Sequence, residues 1–180
     1  MANICDYKIK VKGKKNACYA LIGSMPICDE IEILDEYEED GLHIILAKGD
    51  CSWYIDCYCD KKWEGDSPVI LPENPETALQ KAENEYRNYP LCDRTKMFDV
   101  EVWCNSVDLD MAPENPVYAH YVCGVEQSDE ECPSCLEFEI SLEEGCHICV
   151  NCGCEFYEED GQRLESGEWF CNGCYEEIFG

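Results

Sequence analysis

The chain has 180 residues, and its 40 Asp and Glu against 13 Lys and Arg give a formal charge of −27 at neutral pH. This acidity excludes a nucleic-acid-binding protein of the ordinary kind, because the neutralisation of phosphates requires an excess of Lys and Arg. A hydrophobic fraction of 46% and an aromatic fraction of 11% are typical of a folded protein. No apolar run is long enough to span a membrane, and residues 1–15 lack the apolar core of a signal peptide. We therefore expect a cytoplasmic protein.

The first part of the chain alternates between the period-two pattern of strands and the spacing of helices. In the first strand, Ile9 and Val11 fall on one side and lysines on the other. A hairpin turn is predicted at residues 48–50. Asn74 can cap a helix that begins with Pro75. In chain order, the predicted elements are a strand over 4–12, a helix over 16–24, strands over 42–47 and 52–59, a helix over 75–86, and strands over 98–104 and 117–122.

The order strand, helix, strand, strand, helix, strand predicts an α+β, ferredoxin-like fold over residues 1–124. In this fold a split βαβ arrangement forms an antiparallel sheet with two helices on one face, and residues 117–122 would add an edge strand. The opening Ala2-Asn3-Ile4-Cys5, followed by a strand that ends Val11-Lys12-Gly13, resembles the YubB-like ferredoxin-like domains of phages and plasmids. That resemblance implies an origin in a mobile element.

The composition changes at about residue 125, and residues 126–180 hold 16 acidic residues against one basic residue, Arg163. Seventeen cysteines in a chain without an export signal are expected to stay reduced or to bind metal. Two Cys-x-x-Cys pairs here are separated by 18 residues, a spacing typical of structural zinc. A hairpin turning at 158–161 and a short helix over 175–179 would complete a module that resembles a zinc ribbon or treble clef over residues 125–180. The predicted zinc ligands are Cys149, Cys152, Cys171 and Cys174.

A second metal site is predicted around another Cys-x-x-Cys pair. We favour the upstream pair His120 and Cys123 as its partner. The sequence His120-Tyr-Val-Cys123-Gly124 has the same ligand-x-x-Cys-Gly form as Cys149-Val-Asn-Cys152-Gly153 of the first site. The favoured ligands are His120, Cys123, Cys132 and Cys135. The alternative ligands, which lie downstream, are Cys146, His147 and Cys154. With four protein ligands either site would be structural, since catalytic zinc keeps an open position.

Motifs of the common catalytic sites are absent from the sequence. It has no phosphate-binding Gly-rich loop, no nucleophile elbow and no His-Glu-x-x-His. A Cys-His pair would need one of only three histidines, and His43 falls in a strand pattern that favours a structural role. We therefore expect a protein that is not an enzyme.

The acidic residues are clustered, with eight of them in the 12 positions of residues 29–40. The potentials of neighbouring carboxylates add, so such a cluster can compete with nucleic acid for a basic groove on another protein. The candidate partner-binding residues are Asp35, Glu36, Glu38, Glu39, Asp40, Glu158, Glu159 and Asp160. Positive charge is concentrated on the first strand, where it predicts edge protection or a weak nucleic-acid contact. The lysines concerned are Lys8, Lys10 and Lys12.

The segment Asn3-Ile-Cys-Asp-Tyr-Lys-Ile-Lys-Val-Lys-Gly13 is similar to the opening of anti-CRISPR proteins of gut Firmicutes that act on the type II effector nuclease. This resemblance implies a protein that binds the nuclease and blocks its engagement of guide, target or protospacer-adjacent motif. The alternative function is that of a zinc-finger adaptor or transcription-associated module, which would bind another protein through the C-terminal segment.

Overall fold

The computed structural model describes residues 4–28, 31–52, 55–56, 59–107, 116–127, 131–138, 146–164 and 167–179. The chain divides into two compact units, Met1–Phe138 and Glu139–Gly180. Within the described residues, no helix is both long enough and apolar enough to cross a membrane.

The first unit is built on a six-stranded sheet in which every pair of neighbouring strands is antiparallel. The strands are β1 (Ile4–Gly13), β2 (Glu32–Glu39), β3 (Leu42–Ser52), β4 (Glu101–Val107), β5 (Val117–Val122) and β6 (Val125–Glu126). Their order across the sheet is β2-β3-β1-β4-β5-β6. Strand β1 is central, since Ile9 pairs with Ala47 of β3 on one side and with Cys104 of β4 on the other. Strand β6 belongs to this sheet although it lies beyond residue 124, where the domain boundary was predicted.

Three helices pack on one face of this sheet. They are α1 (Lys15–Ser24), α2 (Pro75–Glu85) and α3 (Leu91–Phe98). Ile9 and Val11 of β1 are fully buried in one cluster with Leu21 of α1, Ala82 of α2 and Met97 of α3. Side chains alternate along a strand, so the lysines of β1 lie on the opposite face of the sheet.

Several predicted elements are confirmed. Strand β1, helix α1 and strand β5 occupy the predicted positions within a residue of each end. Helix α2 begins at Pro75, and Asn74 Oδ1 accepts a hydrogen bond from the Thr77 amide at 2.9 Å, as its capping role requires. These elements were predictable because local pattern and local capping chemistry decide them.

The predicted hairpin turn at 48–50 is wrong, because β3 runs through it to Ser52. Gly49 is there because Tyr7 on the neighbouring strand leaves no room for a side chain: a Cβ at this position would lie 2.6 Å from the Tyr7 hydroxyl. The turn lies earlier, at Asp40 and Gly41, whose φ angles are 52° and 76°. It joins β3 to β2, an exposed strand that was not predicted because it is mostly acidic.

Two further predictions in the first unit need correction. The strand predicted over 52–59 is a turn at Ile55 and Asp56, and residues 53–54 and 57–58 lie outside the described part of the chain. The strand predicted from residue 98 begins at Glu101, since Phe98 ends the unpredicted helix α3. Asp99 terminates that helix in the left-handed region, with φ 56°.

The second unit contains two small antiparallel hairpins followed by a helix. Strand β7 (Cys146–Ile148) pairs with β8 (Glu155–Tyr157), and β9 (Gly161–Arg163) pairs with β10 (Trp169–Cys171). The predicted hairpin that turns at 158–161 is therefore wrong, because these residues connect the two hairpins through a single 3-10 turn. The predicted C-terminal helix is present as α4, which begins earlier than expected and spans Asn172–Phe179.

Candidate metal centre

Four cysteine sulfurs meet in the second unit. Cys149 follows β7, Cys152 lies in the turn after it, Cys171 ends β10, and Cys174 lies in the first turn of α4. All four Sγ atoms lie within 4.8 Å of one another. An ion that binds four sulfurs tetrahedrally at about 2.3 Å places them about 3.8 Å apart. The Sγ atoms of Cys152 and Cys171 are 3.9 Å apart, so the four cysteines lie close enough to bind a metal ion.

The backbone turn over residues 149–154 explains how the sulfurs of Cys149 and Cys152 come together. The Gly153 amide donates to the Cys149 carbonyl at 2.8 Å, and the Cys149 amide donates to the Cys154 carbonyl at 2.9 Å. Gly153 has φ 74°, a conformation that favours glycine. The Val150 amide donates to the Trp169 carbonyl at 3.0 Å, which ties this turn to the strand that ends at Cys171.

Hydrogen bonds shift the pKa values of the candidate ligands in both directions. Burial alone would raise the pKa of Cys149, but hydrogen bonds from the backbone of Cys152, Cys171 and Asn151 outweigh it and lower the pKa to about 6. Backbone and side-chain hydrogen bonds from Cys154 also lower the pKa of Cys152. A hydrogen bond from Asn151 lowers the pKa of Cys174, but hydrogen bonds with the thiols of Cys152 and Cys171 outweigh it and raise the pKa to about 12. Since the thiolate is the form that binds a metal, the contacts of Cys149 and Cys152 favour cation binding, whereas Cys174 would release its proton on binding.

Little else holds the second unit together. In its described residues the buried side chains are Cys149, Phe156 and Cys174, with Trp169 and Phe170 partly buried against them. The Asn151 side chain donates to the Cys174 sulfur at 3.4 Å, as residues behind a metal ligand commonly do. Sequence reasoning missed Asn151. Its position between the candidate ligands Cys149 and Cys152 was the feature of the sequence that could have indicated this contact.

The structure does not bring together the residues favoured for the second site. His120 of β5 is buried, stacks on Trp103 with ring centroids 4.7 Å apart, and lies with Nε2 3.0 Å from Glu101 Oε1. The thiol of Cys123 donates to Asp99 Oδ1 at 3.2 Å. Strand pairing thus gives both side chains partners on β4 or just before it.

The other two favoured ligands lie in a different segment, where Cys132 precedes and Cys135 forms part of a 3-10 turn over Ser134–Leu136. In the part of the chain that the structure describes, the only group of three or more potential ligands within 4.8 Å of one another is the four-cysteine group. Of the alternative ligands, His147 stacks on Trp169 at 3.7 Å and Cys154 lies beside Cys152, while the side chain of Cys146 is outside the description.

The acidic residues predicted to bind a partner fall in two places. Glu158, Glu159 and Asp160 form the 3-10 turn between the hairpins of the second unit. The others are Asp35, Glu36, Glu38 and Glu39 on the exposed edge strand β2, and Asp40 in the turn after it.

Cations within the protein already engage part of the β2 cluster. Lys15 lies 3.1 Å from Glu36, and Lys12 lies 3.3 Å from Glu39. Burial raises the pKa of Glu36, but hydrogen bonds from Lys15 and Tyr19 outweigh it and hold the pKa below its usual value. Three other members of the cluster have no cation within 4.0 Å of their carboxylate oxygens among the described residues. These three, the open carboxylates, are Asp35, Glu38 and Asp40.

The lysines of β1 all make contacts within the first unit. Lys8 donates to the Glu137 carbonyl and lies 5.3 Å from the Phe138 ring centre, while Lys10 lies 5.1 Å from that of Trp103. The contact between Lys10 and Trp103 joins the paired strands β1 and β4, and neither cation–π contact could be seen in the sequence.

No protein-family model, curated protein or solved structure matches the chain. The chemistry of the metal centre and of the acidic edge strand therefore carries the functional conclusion.

Proposed function

We propose that the protein is a binding protein without catalytic activity, whose edge strand β2 engages a basic surface on a nucleic-acid-binding protein. The observation that carries this proposal is the set of open carboxylates, Asp35, Glu38 and Asp40. They lie beside Leu34 and Tyr37, apolar side chains that are 41% and 40% exposed. Complementary charge steers association and selects partners, while exposed apolar side chains supply area that binding can bury.

The partner that we propose is a type II CRISPR effector nuclease, which places the protein among phage or mobile-element anti-defence proteins. Such a nuclease holds the guide–target heteroduplex in a positively charged channel. An acidic strand can occupy part of such a channel in place of nucleic acid. The resemblance of the opening segment to anti-CRISPR proteins supports the same choice.

We assign the first unit to the ferredoxin-like folds and the second to the zinc ribbons or treble clefs. The neighbour order β2-β3-β1-β4, with a helix after β1 and helices before β4, supports the first assignment. Four cysteine sulfurs that all lie within 4.8 Å of one another support zinc as the metal, in a structural role because four protein ligands leave no position for a substrate.

A cleavage assay tests the proposed function. The zinc-loaded protein is titrated into DNA cleavage by a purified type II effector nuclease, either before or after the nuclease receives its guide RNA and target DNA. We expect cleavage to stop when the protein is added first in excess over the nuclease, and to be less affected when the channel is already filled. Normal cleavage at large excess, with the protein added first, would overturn the proposal.

A second candidate function is that of an adaptor, and a feature of α4 favours it. Tyr175, Ile178 and Phe179 follow the i, i+3, i+4 spacing of one helix face, and the last two are 48% and 51% exposed. Binding through this apolar face would change little with salt, whereas binding through β2 weakens as salt rises.

A further inference from the structure

A fifth thiol lies at the metal centre. The Sγ of Cys154 is 3.3 Å from the Sγ of Cys152. Cys154 therefore contacts one of the four sulfurs that would surround the ion, at a distance shorter than the edge of a tetrahedral four-sulfur site, about 3.8 Å.

Among the described residues, such a neighbour lies at the corner formed by Cys152. Cys149 and Cys174 are buried, whereas Cys152 and Cys154 are both exposed and are separated by Gly153 alone. The hydrogen bond from the Cys149 amide to the Cys154 carbonyl keeps Cys154 within the turn that carries the first two ligands. The solvent-facing corner thus has two candidate sulfurs, and the two buried corners have one each.

We propose that the second unit has two overlapping ligand sets for one zinc ion, in which Cys149, Cys171 and Cys174 are joined by either Cys152 or Cys154. This inference rests on the proposed metal centre. Tetrahedral zinc takes four ligands, so one of the two exposed thiols stays unbound at any time. When Cys154 replaces Cys152, Cys154 releases a proton to solvent and the freed Cys152 sulfur takes one up, so the charge of the site is unchanged.

Cobalt substitution tests the proposal, because the intensity of thiolate-to-cobalt charge transfer follows the number of bound thiolates and the visible bands report tetrahedral geometry. The set comprises the full-length wild type, Cys152→Ser, Cys154→Ser, the double variant and the control Cys149→Ser. We expect both exposed-site single variants to keep a four-thiolate spectrum and an affinity within about tenfold of the wild type. We expect the double variant and Cys149→Ser to lose one thiolate and to bind about 100-fold more weakly. One ligand of four contributes about a quarter of the binding free energy, which corresponds to this loss.

The contrary result is a Cys152→Ser variant with a three-thiolate spectrum and the affinity of the double variant. That result would leave the metal centre intact and remove only the second ligand set. A wild type that binds no cobalt would instead remove the metal centre, and the inference with it.

A second measurement avoids substitutions altogether. Zinc-loaded wild type is treated with limiting iodoacetamide, and tandem mass spectrometry locates the label in the peptide that holds both exposed thiols. We expect singly labelled peptide divided between Cys152 and Cys154. Label confined to Cys154 would show a single ligand set and overturn the proposal.

Discussion

Removal of the metal should unfold the second unit and leave the first unit folded. The described part of the second unit buries one large apolar side chain, Phe156, together with two of the candidate ligands. Burial of a Phe side chain contributes about 2 kcal/mol, whereas binding of structural zinc contributes about 10 kcal/mol or more in finger peptides at neutral pH. No other contact in the described part of this unit approaches that magnitude. The first unit instead has a continuous core around Ile9 and Val11.

Hydrogen exchange with mass spectrometry measures this outcome segment by segment. On chelation, we expect amides in residues 146–164 and 167–179 to lose their protection, while those of β1, β3 and α1 keep theirs. Cys174→Ser should have the same effect at zinc concentrations that saturate the wild type, because one ligand of four is worth about 3 kcal/mol. Cys135→Ser, which removes an exposed thiol of the first unit, is the matched control and should change neither zinc content nor exchange.

Unchanged protection of the second unit after stoichiometric loss of metal would refute the reasoning, since it would mean that the hairpins and α4 are stable alone. A loss of zinc in Cys135→Ser would refute the single-site account and restore a second centre.

Two further predictions concern the first unit. Arg94 is fully buried and donates to the Ser24 carbonyl at 2.6 Å, so Arg94→Met should lower the free energy of unfolding by about 2 kcal/mol in urea titrations. The control Arg87→Met removes a surface i,i+4 pair and should cost about 0.5 kcal/mol or less, and equal losses in the two variants would contradict the role of Arg94. The lowered pKa of Glu36 means that its carboxylate stabilises the fold above the unfolded pKa of about 4.3, and that this stability is lost as the pH falls through the folded pKa. Glu36→Gln should therefore be less stable than wild type at pH 7, with the difference shrinking below about pH 4, and stability curves that stay parallel in acid would contradict it.

The sequence predicts best what local chemistry decides. The spacing of Cys149, Cys152, Cys171 and Cys174 identifies the four candidate ligands without any tertiary information, because each pair sits on its own turn. The Asn74 cap is predictable for the same reason. By contrast, the contact between Cys152 and Cys154 depends on a left-handed Gly153 and needs coordinates.

The remaining errors come from contacts between distant segments. The segment Lys48-Gly49-Asp50 has the composition of a turn, yet it lies inside β3. Gly49 is required there because the Tyr7 side chain occupies the space beside it. Strand β2 has few apolar residues and shows no strand pattern, since pairing with β3 defines it. His120 looks like a ligand in the sequence, but its place opposite Trp103 gives it a ring partner on the sheet.

The pairing of β2 also decides which acidic residues are open. Glu36 and Glu39 looked equivalent to their neighbours in the sequence, but the strand places them beside Lys15 and Lys12. Their charges are therefore partly neutralised within the molecule, and a partner would meet the open carboxylates instead.

The salt dependence of nuclease binding tests the central claim most directly. The dissociation constant for a purified type II effector nuclease is measured at several salt concentrations with wild type, with Asp35→Asn/Glu38→Gln, and with the control Glu64→Gln/Glu73→Gln. The control makes the same change in charge at exposed positions away from β2. We predict that the β2 variant binds about tenfold more weakly at low salt and depends less steeply on salt, while the control follows the wild type. Equal affinities and equal salt slopes for the two variants would contradict the assignment of binding to the open carboxylates of β2.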